Sequence, residues 1–75
     1  MNNAAAETMN WQPHTKDDHP IQTGDRLWWS DLNGAEKPRW VEVKQIDLEE
    51  GLIFCKDQTD TNLMTVPEEL TTQAN

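Results

Sequence analysis

Seventy-five residues permit one small domain with a modest core, and the single cysteine, Cys55, leaves no internal disulfide to reinforce it. Fourteen acids against six bases give a formal net charge of −8, which disfavours a phosphate backbone as partner because nucleic-acid affinity rests on Lys and Arg contacts. No apolar run approaches the length of a membrane span. Residues 1–10 lack the basic cluster and apolar stretch of a secretory leader, and with an unpaired cysteine this leads to the expectation of a soluble protein in the reducing cytoplasm.

Residues 1–23 are polar, broken by Pro13 and Pro20, and carry Met9, Trp11 and Ile21 without periodic spacing. They are expected to form a flexible, disordered N-terminal arm. His14 and His19 flank Asp17 and Asp18 there, a pattern that reads as solvated histidines because a metal needs a fixed cage.

Residues 24–71 carry the folding pattern. Strand one, about Arg26 to Ser30, turns Leu27 and Trp29 to one side and Arg26 and Trp28 to the other. Asp31-Leu32-Asn33-Gly34 is a turn signal. Strand two, about Arg39 to Asp47, puts Val41 and Val43 on one face and Trp40, Glu42 and Lys44 on the other; Ile46 breaks that alternation and predicts a bulge or a change of face. Glu49-Glu50-Gly51 makes a tight turn into strand three, Leu52 to Lys56, which is apolar on both sides. After the polar turn Asp57 to Thr61 comes strand four, Asn62 to Val66. Pro67 cannot continue a central ladder, so Pro67 to Leu70 is expected to form one 3₁₀ turn with Leu70 tucked beneath. Residues 72–75 are expected to be a disordered tail. Evenly spaced short strands with turn chemistry between them predict an all-β fold.

The elements Gly24-Asp25, Trp40-Val41-Glu42-Val43, Ile53-Phe54, Asp57 and Val66-Pro67-Glu68-Glu69-Leu70 resemble, in order and spacing, the SH3-like small-barrel superfamily and within it the Tudor-type pattern. The resemblance covers about two-thirds of the chain. It implies a five-stranded barrel with a recognition role. Tudor domains that read methylated lysine or arginine surround the cation with aromatic rings. Here Gln58 stands where an aromatic usually follows the third-strand Asp, and Thr59-Asp60 replaces the Gly-Asn of that turn, leaving Trp29 and Trp40 as two prospective walls.

Function is expected to rest on tryptophans. Trp28 and Trp40, with Trp29 as a third candidate, would form an outer binding face rimmed by Asp31, Glu36 and Glu42. The rings supply buried area, and the acids would steer a protein partner with a basic surface. The chain is expected to be a monomer or weak homodimer. Two other readings stand beside this one. The acids Asp47, Glu49, Glu50, Asp57, Asp60, Glu68 and Glu69 could imitate a phosphate array, or the tryptophans could stack on single-stranded nucleic acid, against which the scattered bases count.

Catalysis and cofactors find little support. Cys55 lies in an apolar strand away from both histidines and reads as inert core. Asp57, Asp60, Asn62 and Glu68 lack the central glycine of a calcium loop, with Thr59 and Thr61 at positions that need acids. The pairs Glu49-Glu50 and Glu68-Glu69 look exposed, without the shifted pKa that acid–base work needs. No nucleophile triad or phosphate loop is visible, so a non-enzymatic role is expected, with neither metal nor cofactor.

Overall fold

The strand alternation read from the sequence becomes a sheet of five antiparallel strands in the computed structural model, which describes residues 12–74. The strands are β1 (Arg26–Trp29), β2 (Arg39–Asp47), β3 (Leu52–Asp57), β4 (Asn62–Thr65) and β5 (Leu70–Thr71), in the spatial order β4-β3-β2-β1-β5. A 3₁₀ turn, Pro67–Glu69, carries the chain from β4 at one edge to β5 at the other. Its Pro67 sits where a missing N–H costs nothing, and Leu70 behind it is completely buried. No helix among the described residues is long and apolar enough to cross a membrane.

Pairing partners explain which side chains meet. Leu27 lies opposite Val41, and Val43 opposite Cys55. The register between β2 and β3 then shifts between Val43 and Gln45, leaving Lys44 as the extra residue of a bulge. That extra residue swaps the inward parity of β2 from Val41 and Val43 to Ile46, which packs on the core and sits opposite the fully buried Ile53. The break in alternation at Ile46 is therefore the sequence trace of the bulge. The turns follow their residue chemistry. Gly51 closes the β2–β3 turn at φ +71, donating to Asp47 O at 2.9 Å. Asp60 takes the same left-handed conformation, φ +67, in the β3–β4 turn.

The core consists of Ile21, Leu27, Trp29, Val41, Val43, Ile53, Cys55 and Leu70, with Ile46 and Leu63 packed against it. Ile21 comes from the stretch expected to be a flexible arm, and its described half is packed instead. Residues 12–23 fold back on themselves through Thr15 N to His19 O (2.8 Å) and Ile21 N to Pro13 O (2.9 Å), burying Pro13 and Thr15. Lys16 N donates to Leu70 O at 2.8 Å, so the segment covers the outer edge of β5. The expected tail is tied to the same place: the Asp17 carboxylate accepts from the Thr72 backbone N–H at 3.1 Å and from the Thr72 hydroxyl. The physical reason is that one isoleucine is enough to anchor a proline-bounded loop when the end of a small sheet needs a plug, and no periodicity announces a single anchor. The expectations for residues 1–11, including Trp11, and for residue 75 lie outside the described residues.

Candidate interaction face

The two adjacent tryptophans of β1 part company. Trp29 points inward and is only 6% exposed, so it is a core residue rather than part of an outer patch. Its Nε1–H donates to Glu69 Oε1 at 3.0 Å, and the same oxygen accepts from the Thr65 hydroxyl at 2.5 Å. Glu69 Oε2 accepts from Leu32 N at 2.9 Å. Burial alone would raise the pKa of Glu69; the bonds from Leu32, Thr65 and Trp29 outweigh it and hold the carboxylate below the usual range. The expectation that Glu69 is exposed with an ordinary pKa is thus corrected: Glu68 faces solvent while Glu69 turns inward.

Arg39 lies directly opposite Trp29 across the β1–β2 ladder, and its guanidinium sits over the indole, 4.8 Å from the ring centroid. Arg39 Nε donates to Asp57 Oδ2 at 2.9 Å, and another guanidinium nitrogen to Glu36 Oε1 at 3.0 Å. Asp57 Oδ1 also accepts from the Thr59 hydroxyl (2.7 Å), Thr59 N (2.8 Å) and Thr61 N (3.0 Å). These bonds, the Thr59 hydroxyl foremost, pull Asp57 down to about 2, and the Thr15 and Thr72 hydroxyls do the same for Asp17. Both depressed groups contribute stability that is complete above the ordinary carboxylate range and lost as pH falls toward about 2. The urea midpoint is therefore expected to drop steeply below about pH 4, and Asp57→Asn to flatten that acid limb; an unchanged limb in the variant would count against this role.

Trp28 and Trp40 project from the opposite face. They pair directly across β1 and β2, with ring centroids 5.3 Å apart and planes at 75°. This edge-to-face contact is the preferred aromatic geometry. Both rings are half-buried. Trp29 and Trp40 stand on opposite faces, so they cannot be two walls of one cage, and the Trp29 ring already has Arg39 over it. The Trp28 Nε1–H is buried with no acceptor among the described residues, a cost of about 1–3 kcal/mol.

Cross-strand registers arrange the rest of this face in rows. Arg26, Glu42, Lys56 and Asn62 form one row over β1 to β4, and Gln45, Phe54 and Met64 form the next over β2 to β4. Two shallow depressions lie here, of about 330 and 480 Å³, and they meet at Lys44 and Lys56. The first is floored by Trp40, the second by Phe54, Leu63 and Met64. The Arg26 guanidinium lies 5.2 Å from the Trp40 ring centroid. Three of the six bases, Arg26, Lys44 and Lys56, thus converge although they are scattered along the chain.

Of the acidic rim expected around the tryptophans, only Glu42 shares their face, where it pairs with Lys44 at 3.3 Å. Asp31 caps its own turn, accepting from Asn33 N and Ala35 N, and Glu36 is bound to Arg39. Several of the acids grouped as a phosphate-like array are also occupied locally. Asp47 caps the β2–β3 turn, and Asp57 and Glu69 are turned toward the core side. Cys55 is buried, and burial pushes its thiol up to about 12, which makes it inert. His14 bonds to Gln12 O and His19 lies 3.6 Å from Asp25. Among the described residues no group of three or more His, Cys, Asp or Glu side chains is arranged to hold a metal ion. Compared with protein families, curated proteins and solved structures, the chain matches none.

Proposed function

We propose that the chain is a non-enzymatic protein-interaction module on an SH3-like barrel, binding its partner through Trp28 and Trp40. Two features support the barrel reading. The strand order joins β5 to β1, and the link from Thr65 to Leu70 contains a 3₁₀ turn rising about 2 Å per residue. That link is too short to cross a flat sheet whose edges would stand about 19 Å apart, so the sheet must curl.

The observation that carries the functional reading is the indole pair on the face away from the core. A sheet face that needed only cover would be served by phenylalanine, without the orphaned N–H of Trp28. Large rings beside two shallow depressions, one charged and one lined by Phe54, Leu63 and Met64, have the anatomy of a protein contact, in which a few aromatic anchors carry most of the energy. Full-length chain immobilised in a lysate of its own source is expected to retain a partner, to lose it in Trp40→Ala, and to keep it in the charge reversals Glu49→Lys and Glu50→Lys, with thermal unfolding confirming that each variant folds. Capture that survives Trp40→Ala but fails on reversal of the turn acids would transfer the function to the acidic surface.

A further inference from the structure

The tryptophan face lies on an acidic chain, yet three of the six bases gather between its apolar ends, beside Glu42 and Asp60, while Asp57 is taken up by Arg39. Arg26, Lys44 and Lys56 stand between Trp40 and the Phe54–Met64 pair. The depression floored by Phe54 and Met64 is lined by two lysines and no acid. Among the described residues Lys44 and Lys56 are paired with the exposed side chains of Glu42 and Asp60, at 3.3 and 3.1 Å. Such surface pairs are worth little and exchange easily. Arg26 has no carboxylate within salt-bridge distance among the described residues; its contact is the Trp40 ring. A guanidinium stacked on an indole is pre-organised, with its donor fork free for a carboxylate.

Resting on the interaction reading above, but with the partner's charge reversed from the basic surface expected from the sequence because Asp31 and Glu36 are engaged elsewhere, we propose that the segment recognised here is an acidic–apolar peptide, with carboxylates on Arg26, Lys44 and Lys56 and apolar side chains on Trp40 and on Phe54–Met64. Along β2 the face from Trp40 to Gln45 spans about 15 Å, the length of about five extended residues. Net charge argues for few carboxylates rather than a phosphate chain: a −8 protein repels a ligand in proportion to the ligand's charge, and a short peptide with two or three acids suffers far less than an oligonucleotide.

The test uses the full chain labelled with ¹⁵N and three synthetic ten-residue peptides of one apolar pattern, in which the polar positions are Asp and Glu, Asn and Gln, or Lys. A ten-nucleotide thymidine oligomer is the fourth probe. The acidic peptide is expected to shift the Trp28 and Trp40 indole signals and the amides of Lys44, Phe54 and Met64. Binding should be about tenfold weaker for the amide peptide, and about tenfold weaker for the acidic peptide against Arg26→Gln. Arg26 is exposed, so that variant retains the fold. Tighter binding of the Lys peptide at the same indoles would overturn the charge assignment while leaving the interaction reading intact. Tighter binding of the oligomer would replace the peptide by nucleic acid. Concentration-dependent shifts of Phe54 and Met64 in the free chain would assign the face to a second copy. Indole signals silent to every probe would remove both readings.

Discussion

Truncating Ile21 to alanine is expected to destabilise the protein by about 2–5 kcal/mol, the range for a large aliphatic side chain removed from a packed site. Ile21 is 1% exposed and belongs to the same cluster as Leu27, Val41, Val43 and Leu70. A domain this small has a total stability of about 4–11 kcal/mol, at about 0.05–0.15 kcal/mol per residue. The single change therefore removes a large share of the margin and should lower the urea midpoint strongly. Two further consequences follow from the geometry. The loop anchored by Ile21 also supplies Lys16 N to Leu70 O and Asp17 to Thr72, so releasing it uncovers the edge of β5. Removal of residues 12–23 should then be at least as damaging as the point change. Leu32→Ala is the control: Leu32 is 67% exposed, and a surface truncation should change stability by no more than about 0.5 kcal/mol. Urea unfolding followed by tryptophan fluorescence separates the two. Equal midpoints for Ile21→Ala and Leu32→Ala would mean that the segment does not close the core.

The contrast between Ile21 and Ile46 shows what a sequence makes legible. Ile46 sits inside a strong period-two pattern, so its wrong parity is itself a signal, and the bulge at Lys44 follows from it. Pro67 and Leu70 are legible for the same reason: a proline that cannot join a ladder must turn, and the leucine behind it must go somewhere dry. Ile21 stands alone among polar residues, and nothing local distinguishes an anchored isoleucine from a free one. Trp28 and Trp29 split between faces as alternation requires, and the pairing of Trp28 with Trp40 follows once the register is known. The local charge of the face was illegible, because it depends on which residues register brings opposite one another. Arg26, Glu42 and Lys56 are far apart in sequence and adjacent in space. The candidate rim acids Asp31 and Glu36 lie close to the tryptophans in sequence, but their carboxylates are engaged by their own turn and by Arg39.

Glu69 is where this difference between sequence proximity and spatial role has the largest energetic consequence after Ile21. Glu68 and Glu69 are indistinguishable as neighbours in a turn, yet one is exposed and the other receives three donors, from Trp29, Thr65 and Leu32. Trp29 and Thr65 are buried, at 6% and 3% exposure, so Glu69→Ala strands the Trp29 N–H where water reaches poorly and leaves the Thr65 hydroxyl only its longer bond to Val66 O at 3.3 Å. The stranded Trp29 donor costs about 1–3 kcal/mol, the weakened Thr65 bond adds to it, and the Trp29 side chain is no longer tied in place opposite Arg39. The expected loss is therefore several-fold larger than for Glu68→Ala, which should be nearly neutral. Glu69→Gln tests the origin of the effect. Its amide oxygen can replace the oxygen that accepts from both buried donors, leaving its NH₂ at the exposed Leu32 side, so most of the stability should return. The pH dependence has a definite sign. The folded-state pKa of Glu69 is lowered, so its contribution is complete above the ordinary glutamate range and is lost as pH falls through the depressed folded value. Glu69→Gln removes that titration, and its acid limb should be shallower than that of the parent chain. A Glu69→Ala variant as stable as Glu68→Ala, or an acid limb unaltered in Glu69→Gln, would show that the carboxylate does not hold the tryptophan that closes this end of the core.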